Sequence, residues 1–466
     1  MEHVQSLFDE QREALASVAP ASERRGHLRK LWDAVLHHEQ ALIEALFADL
    51  GKPREEVHLH EIYPLKKEIK YALRHLRGWM APRPAATSLA MIGTQAYVEA
   101  NPKGHVLMIS PWNFPVILTL RPLVSALAAG NRVIIKPSEN TPETSKVLAA
   151  IVSQALTQDR AAVVIGGPEV SEFLTTLPFH HICFTGGTDN GKKVMKAAAE
   201  NLASITLELG GKSPAVVDST ANVSDASRRL AWGKCLNNGQ VCIAPDYALV
   251  EESITQDFIQ GVKDRFAEMY GPDEVSQLRS KQRSQMVNEY HFQRVVGLIE
   301  DALAKGATLA HGGIWDAQTR RIAPTILQNV TLDMKVMNEE IFGPVLPVIS
   351  WRKSTEIQDI VNACPHPLAM YFFSNQKSQI AKWMQSMPSG TTGINEVVLQ
   401  VATPNLPFGG IQTSGMGRMG GIDGFEEFSN MRSVLRQTSR FNVLPLTFPP
   451  FNRFSLFVAR TVQRWL

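Results

Sequence analysis

The chain has 466 residues, 44% hydrophobic and 20% charged, with 47 Lys and Arg against 45 Asp and Glu. This is the profile of a soluble globular protein of two or three domains, and a net charge of +2 without a clustered basic face excludes a nucleic-acid partner. Cys183, Cys235, Cys242 and Cys364 form no C-x-x-C pair and have no histidines at metal spacing, so no metal is expected and a reducing, cytoplasmic compartment is.

Residues 1–80 read as long amphipathic helices, with apolar positions recurring at three and four. The polar N-terminus lacks the apolar core of a signal peptide. No run of about 18 apolar residues suits a membrane span. The proline-led stretch 81–100 breaks the helical pattern and reads as an extended hairpin. From 105 onward strands are expected at 105–110, 132–136, 161–166, 180–186 and 204–209, separated by helices over 115–129, 142–156, 168–175 and 189–202. Further strands fall at 213–218, 247–252, 343–351 and 368–374, with helices over 224–237, within 255–305, and over 354–363 and 376–387. β-Branched runs bounded by helices indicate parallel sheets buried on both faces. The expected fold is therefore two doubly wound α/β domains joined around residues 205–215.

The G-x-G-x-x-G match at Gly415, Gly417 and Gly420 is a poor dinucleotide site, because that mechanism needs a strand before the glycines and the preceding "PFGGIQTS" is a turn-rich loop. "CFTGGTDNGKK", 183–193, has that context: Gly186, Gly187 and Gly191 lie between a strand and a helix whose N–H groups suit a phosphate. "RVIIKPSEN" puts Lys136 and Glu139 at a strand end, where a ribose could be held.

Cys242 lies in "LNNGQVCIAPDY", a polar loop rather than the apolar run that suits a structural thiol. "ISPWNFP" places Ile109, Ser110, Trp112 and Asn113 just past a strand. "LELGGKSP" sets Glu208 between Leu207 and Leu209, and "NEEIFGPV" carries Glu340 and Phe342. Together they offer a thiol nucleophile, a carboxylate base, an amide for an oxyanion and a carboxylate–aromatic pair. Cys183, Cys235 and Cys364 read as packing residues, and His180 and His181 as flanking a strand without a catalytic role.

With "IIKPSE", "FTGG", "LPFGG" and "SGMGRMGGIDGFEEFS" in the same order, the chain from about 5 to about 440 resembles the aldehyde dehydrogenase superfamily, most closely its class-3 or fatty-aldehyde type. The resemblance implies that Cys242 attacks an apolar aldehyde to give a thiohemiacetal, that Asn113 and the Cys242 N–H hold its oxyanion, and that Glu208 activates the water that hydrolyses the thioester. It implies NAD as cofactor, with NADP as a second. Glu340 and Phe342 would meet the nicotinamide side, Lys136 and Glu139 the adenosine ribose, Gly186, Gly187 and Gly191 the pyrophosphate, and Ile109, Ser110, Trp112 and Leu209 the rest. It assigns 1–80 and 101–207 to a Rossmann-like NAD(P)-binding domain and 208–412 to a catalytic domain. Segments 81–100 and 413–440 would bridge subunits of a homodimer.

Two enzymeless or altered readings compete: a coenzyme A-acylating dehydrogenase, against which Glu208 argues, and a non-catalytic protein on the same fold. Thr403, Pro404 and Asn405 stand where class-3 relatives often carry His and Ser, so chain-length preference stays open. The tail 441–466 reads as an amphipathic helix with Phe454, Phe457, Val458, Val462 and Trp465 on one face. It suits peripheral membrane contact through 450–466 as well as packing across a dimer partner.

Overall fold

The computed structural model describes residues 1–88, 91–439 and 448–465. The helices Glu2–Glu13, Ala21–His37, Glu39–Leu50 and Tyr63–Trp79 come first. Their apolar stripes, such as Leu28, Leu31, Val35, Leu42, Leu46 and Leu50, are buried, which is what drives amphipathic helices onto a core. β1 (Arg83–Ala85) then runs antiparallel to β2 (Thr94–Pro102), the hairpin expected from the prolines; residues 89 and 90 lie outside the described residues.

β3 (His105–Ile109), β4 (Arg132–Lys136), β5 (Ala161–Val163), β6 (His181–Gly186) and β7 (Ser204–Leu209) are parallel and lie in the order β7-β6-β3-β4-β5. Every residue of β4 is buried, as is nearly all of the helix Ile117–Ala129. A parallel sheet covered on both faces has this signature.

The second half contributes β8 (Pro214–Val217), β9 (Tyr247–Glu251) and β10 (Thr308–His311), then a small antiparallel pair, β11 (Trp315–Asp316) and β12 (Arg321–Ile322). β13 (Thr325–Gln328), β14 (Val345–Trp351), β15 (Ala369–Phe373) and β16 (Thr391–Ile394) complete a seven-stranded sheet in the order β10-β13-β14-β9-β8-β15-β16. Only β10 in it is antiparallel to its neighbour. The chain then returns to the first half. β17 (Gly415–Met416) pairs antiparallel with β7 at the edge of the first sheet, and β18 (Ser429–Gln437) runs antiparallel along all of β2.

Three differences from the sequence reading stand out. The helix expected over 224–237 spans Val223–Cys235, because Asn237 and Asn238 adopt left-handed conformations, φ 46° and 55°. β10, β13, β16 and β18 were not expected. And the stretch after 413 includes β17, which closes an edge of the first sheet. The tail forms the expected helix, Arg453–Trp465, with Phe454 and Phe457 exposed; residues 440–447 and the side chains of Val462 and Trp465 lie outside the described residues. Among the described residues no helix is long and apolar enough to cross a membrane.

Candidate active site

The carboxyl ends of β3, β6 and β7 open onto a cavity of about 620 Å³, where ligands of open parallel sheets bind. Trp112, Asn113, Gly186, Gly187, Glu208, Leu209, Cys242, Glu340 and Phe342 all line it. Ile109, Ser110, Lys136, Glu139 and Gly191 do not.

Four of those five gather one strand further out. Ile109 pairs with Lys136 across β3 and β4, and the Ser110 N–H donates to the Lys136 carbonyl at 3.0 Å. Lys136 is buried, and its Nζ donates to Glu139 Oε2 at 2.5 Å. Gly191 has a different setting. It lies in the first turn of the helix Thr188–Glu200, where a Cβ would come within 2.6 Å of Leu209 Cδ2, so its missing side chain admits helix-on-strand contact. Gly187 caps the same helix with open space beside it, and Thr188, Asp189 and Asn190 of the first turn line the cavity.

Cys242 owes its position to a left-handed turn. Asparagine is among the few L-residues that tolerate this region. Arg283, fully buried, donates to Asn238 Oδ1 and to the Ile322 carbonyl, the latter at 2.7 Å, and so ties the turn down. Gly239 follows at φ 78°, where a Cβ would stand 2.2 Å from the Gly343 carbonyl oxygen. Beyond this turn Cys242 is partly exposed, whereas Cys183, Cys235 and Cys364 are buried. Burial pushes its thiol well up, the Glu340 and Glu208 charges add to this, and the N–H groups of Cys242 and Ile243 oppose it.

Asn113 is held from three sides. Its Nδ2 donates to the Gln240 carbonyl at 3.1 Å, and its own backbone carbonyl accepts from Asn237 Nδ2 at 2.8 Å and Lys52 Nζ at 3.1 Å. Lys52 is fully buried and pairs with Glu61 at 2.7 Å. A side-chain amide has two N–H donors, so one remains for a ligand. Lys52, Glu61, Gln240 and Arg283 escaped the sequence reading: Gln240 looked like an ordinary turn residue, and the other three have no local signal at all.

Glu208 is only 7% exposed, and neither of its carboxylate oxygens has a hydrogen-bond partner among the described residues. Burial holds its carboxyl well above the usual range, with Arg121 and Arg418 working against the shift and Glu427 reinforcing it. Glu340 is raised to about 8, chiefly by burial and then by the Asp246 charge. Its carboxylate fills the place where a side chain on Gly210 would be: a Cβ there would stand 2.0 Å from Oε2.

The loop carrying Glu340 is clamped by cations. Arg294 donates to the Glu340 and Ile341 carbonyls at 3.0 and 2.5 Å. Lys212 donates to the Val336 and Glu339 carbonyls at 2.7 and 3.0 Å and to Asp246 Oδ2 at 2.5 Å. Asp246 in turn accepts the Ile341 N–H at 3.1 Å. Trp112 stands edge-on to Phe342, with ring centroids 5.3 Å apart.

The model of the aldehyde dehydrogenase family matches residues 2–434. The chain belongs to that family. It is an NAD(P)-dependent aldehyde dehydrogenase with the two-sheet architecture of its relatives. The dog protein called aldehyde dehydrogenase, dimeric NADP-preferring, is 40% identical over 433 residues, covering 92% of this chain and 94% of its own. Rat aldehyde dehydrogenase family 3 member A2 is 40% identical over 432 residues, covering 92% and 88%. A substrate-bound structure of Staphylococcus aureus AldH superposes with a TM-score of 0.94 at 35% identity, covering 98% of this chain and 99% of that one.

Proposed function

We propose that this dehydrogenase oxidises an apolar aldehyde to the carboxylic acid with Cys242 as nucleophile, Asn113 as oxyanion donor and Glu208 as hydrolytic base. One observation carries the reading: these three side chains and Glu340, drawn from four separate stretches, line a single cavity. Trp112, Leu118, Phe342 and Pro365 among the lining residues favour an apolar substrate.

Once the Cys242 thiol has released its proton to solvent, the thiolate Sγ bonds to the aldehyde carbon, and the resulting thiohemiacetal oxyanion is held by the Asn113 amide and the Cys242 N–H. When bound, the nicotinamide supplies the hydride acceptor that turns the adduct into a thioester. Water then adds to the thioester carbon while Glu208 takes its proton. The C–S bond breaks, the acid leaves and the sulfur is restored. A carboxyl whose affinity for protons is raised by burial is a stronger base than an exposed one. An unpartnered Glu208 also favours water over coenzyme A as the acyl acceptor.

The residues present fit a dinucleotide. Gly186, Gly187 and the first turn of Thr188–Glu200 would hold the pyrophosphate. Gly191, in that same first turn, belongs to the pyrophosphate end; Lys136 and Glu139 would take the adenosine ribose, with Ile109 and Ser110 shaping that end. Glu340 would take the nicotinamide ribose, beside Trp112, Leu209 and Phe342. Glu139 favours the free 2′-hydroxyl of NAD, and Lys136 offers NADP a counter-charge. On this reading 1–80 and 101–207 bind cofactor and 208–412 carry the chemistry.

Segments 81–100 and 413–440 would join two copies into a homodimer. In support, β18 has no strand on its outer edge among the described residues and exposes Leu435. The tail 450–466 exposes Phe451, Phe454, Leu456 and Phe457, a surface for a partner subunit or a membrane. Deleting it and following co-sedimentation with vesicles separates these two, since unchanged sedimentation rejects the membrane.

The decisive assay is formation of reduced nicotinamide from NAD and from NADP over aldehydes of rising chain length, run beside Cys242→Ala. Turnover that disappears in the variant, with cofactor binding kept, is the expected result. Residual turnover in Cys242→Ala would reject the thiol mechanism.

A further inference from the structure

Side chains alternate along a strand, so Ser204, Thr206 and Glu208 share one side of β7. Ile205, Leu207 and Leu209 turn to the apolar core on the other. On the polar side Thr206, fully buried, donates from Oγ1 to Glu427 Oε1 at 2.6 Å. His181, also fully buried, meets the same hydroxyl through Nε2 at 3.0 Å. Because the Thr206 proton goes to Glu427, His181 Nε2 donates, and its Nδ1 accepts from Lys103 Nζ at 3.2 Å. Lys103, Arg418 and Glu427 line a second, open cavity of about 320 Å³ at the surface. Gly417 keeps the contact free: a Cβ there would lie 2.8 Å from Glu427 Oε1 and 2.9 Å from Thr206 Cγ2.

A base that accepts a proton in each turnover must lose it before the next. Glu208 is buried, both its oxygens are unpartnered among the described residues, and the charged groups acting on it there are Arg121, Arg418 and Glu427. Thr206 lies two residues away on the same face, roughly 6.8 Å along an extended strand. A glutamate side chain and one water span that gap.

We propose that Thr206 and Glu427 form the proton exit from Glu208 to the second cavity, with His181 orienting the Thr206 hydroxyl. The proposal rests on Glu208 being the hydrolytic base. The proton that water gives to Glu208 passes through a bridging water to the Thr206 hydroxyl, which hands its own proton to Glu427. Glu427 releases it to solvent, and no electrons move in the relay. Thr206 and Glu427 never touch the substrate; they act through Glu208.

The test is stopped-flow formation of reduced nicotinamide, in H2O and in D2O, for wild type, T206V, T206S, E427Q and E208Q. T206V and E427Q keep a full first-turnover burst. Their steady-state kcat falls roughly tenfold, short of the ~10²–10⁴ that a positioned base contributes, and their solvent isotope effect rises. T206S restores both, because it restores the hydroxyl. A purely structural Thr206 would lower burst amplitude without altering the isotope effect, which overturns the relay. So would T206V and E427Q matching wild type while E208Q stalls after its burst. E208Q turning over normally would instead remove the base reading beneath it.

Discussion

Gly210 offers a steric test of Glu340 that leaves Glu340 itself untouched. A methyl group at Gly210 would lie 2.0 Å from Glu340 Oε2 and 2.6 Å from Cδ, where 3.4 Å is ordinary contact. The backbone does not object, since Gly210 is not among the residues with positive φ. Relief must therefore come from displacing the carboxylate by more than an ångström, which is too far for a hydrogen bond to survive. One hydrogen bond from a carboxyl that still holds its proton is worth about 0.5–1.5 kcal/mol. At tenfold per 1.4 kcal/mol, Gly210→Ala weakens NAD binding by roughly 2- to 12-fold. Titration calorimetry of NAD onto Gly210→Ala, Glu340→Gln and the double variant measures it. Both single variants lose similar affinity and the double variant loses little more, because both changes remove the same contact. Wild-type affinity in Gly210→Ala, or fully additive losses, would refute the reasoning.

Asp246→Ala strands Lys212 and Lys234, both buried, without their shared counter-charge. Removing one partner of a buried pair costs about 3–5 kcal/mol, to be read from urea unfolding; a loss below about 1 kcal/mol would count against the clamp. Glu340 contributes a pH dependence of opposite sign to an ordinary salt-bridged carboxylate. Its carboxyl is raised from 4.5 to about 8 in the folded protein, so between those values the unfolded chain has released a proton that the native state still holds. Its contribution to stability is full below pH 4.5, falls as pH rises, and levels off above about 8. Glu340→Gln removes that share of the slope, and identical pH–stability curves for the two proteins would falsify the assignment.

The strand at 132–136 was legible because a parallel strand apolar on both faces stands out as a β-branched run, and the strand at 204–209 because Ile205, Leu207 and Leu209 alternate with polar residues. The short "TILQ" of β13 and "TTGI" of β16 carry no such run; their pairing is decided by neighbours far away in the chain. The sequence predicts the helix through Cys235 two residues too long because Leu236 and Asn237 do nothing to forbid a helix. Arg283, distant in sequence and buried, makes the left-handed turn worthwhile. From sequence the glycine run at 415–420 is a poor nucleotide site, and the structure gives those glycines another purpose. Gly415 has φ 139° and would push a Cβ to 2.2 Å from the Leu207 carbonyl oxygen, so it is there to let β17 lie against β7. Cys242, Glu208, Asn113 and Glu340 were readable as loop and strand-end residues of the right chemistry. The hydrogen bonds that hold Asn113, the turn before Cys242 and the Glu340 loop join stretches far apart in the chain, and no local pattern encodes those.

The return of the chain to its first half has a consequence for how the protein is made. Ser429 pairs with Pro102, a separation of 429 − 102 = 327 residues. At about 5–20 residues per second on the ribosome, β2 waits roughly 15–65 s for its partner. During that interval β7, the strand bearing Glu208, also presents an open edge, because β17 has yet to be synthesised. Exposed strand edges recruit one another, so the nascent enzyme is most vulnerable to aggregation late in translation, and premature termination shortly before residue 415 would release a chain with both edges bare.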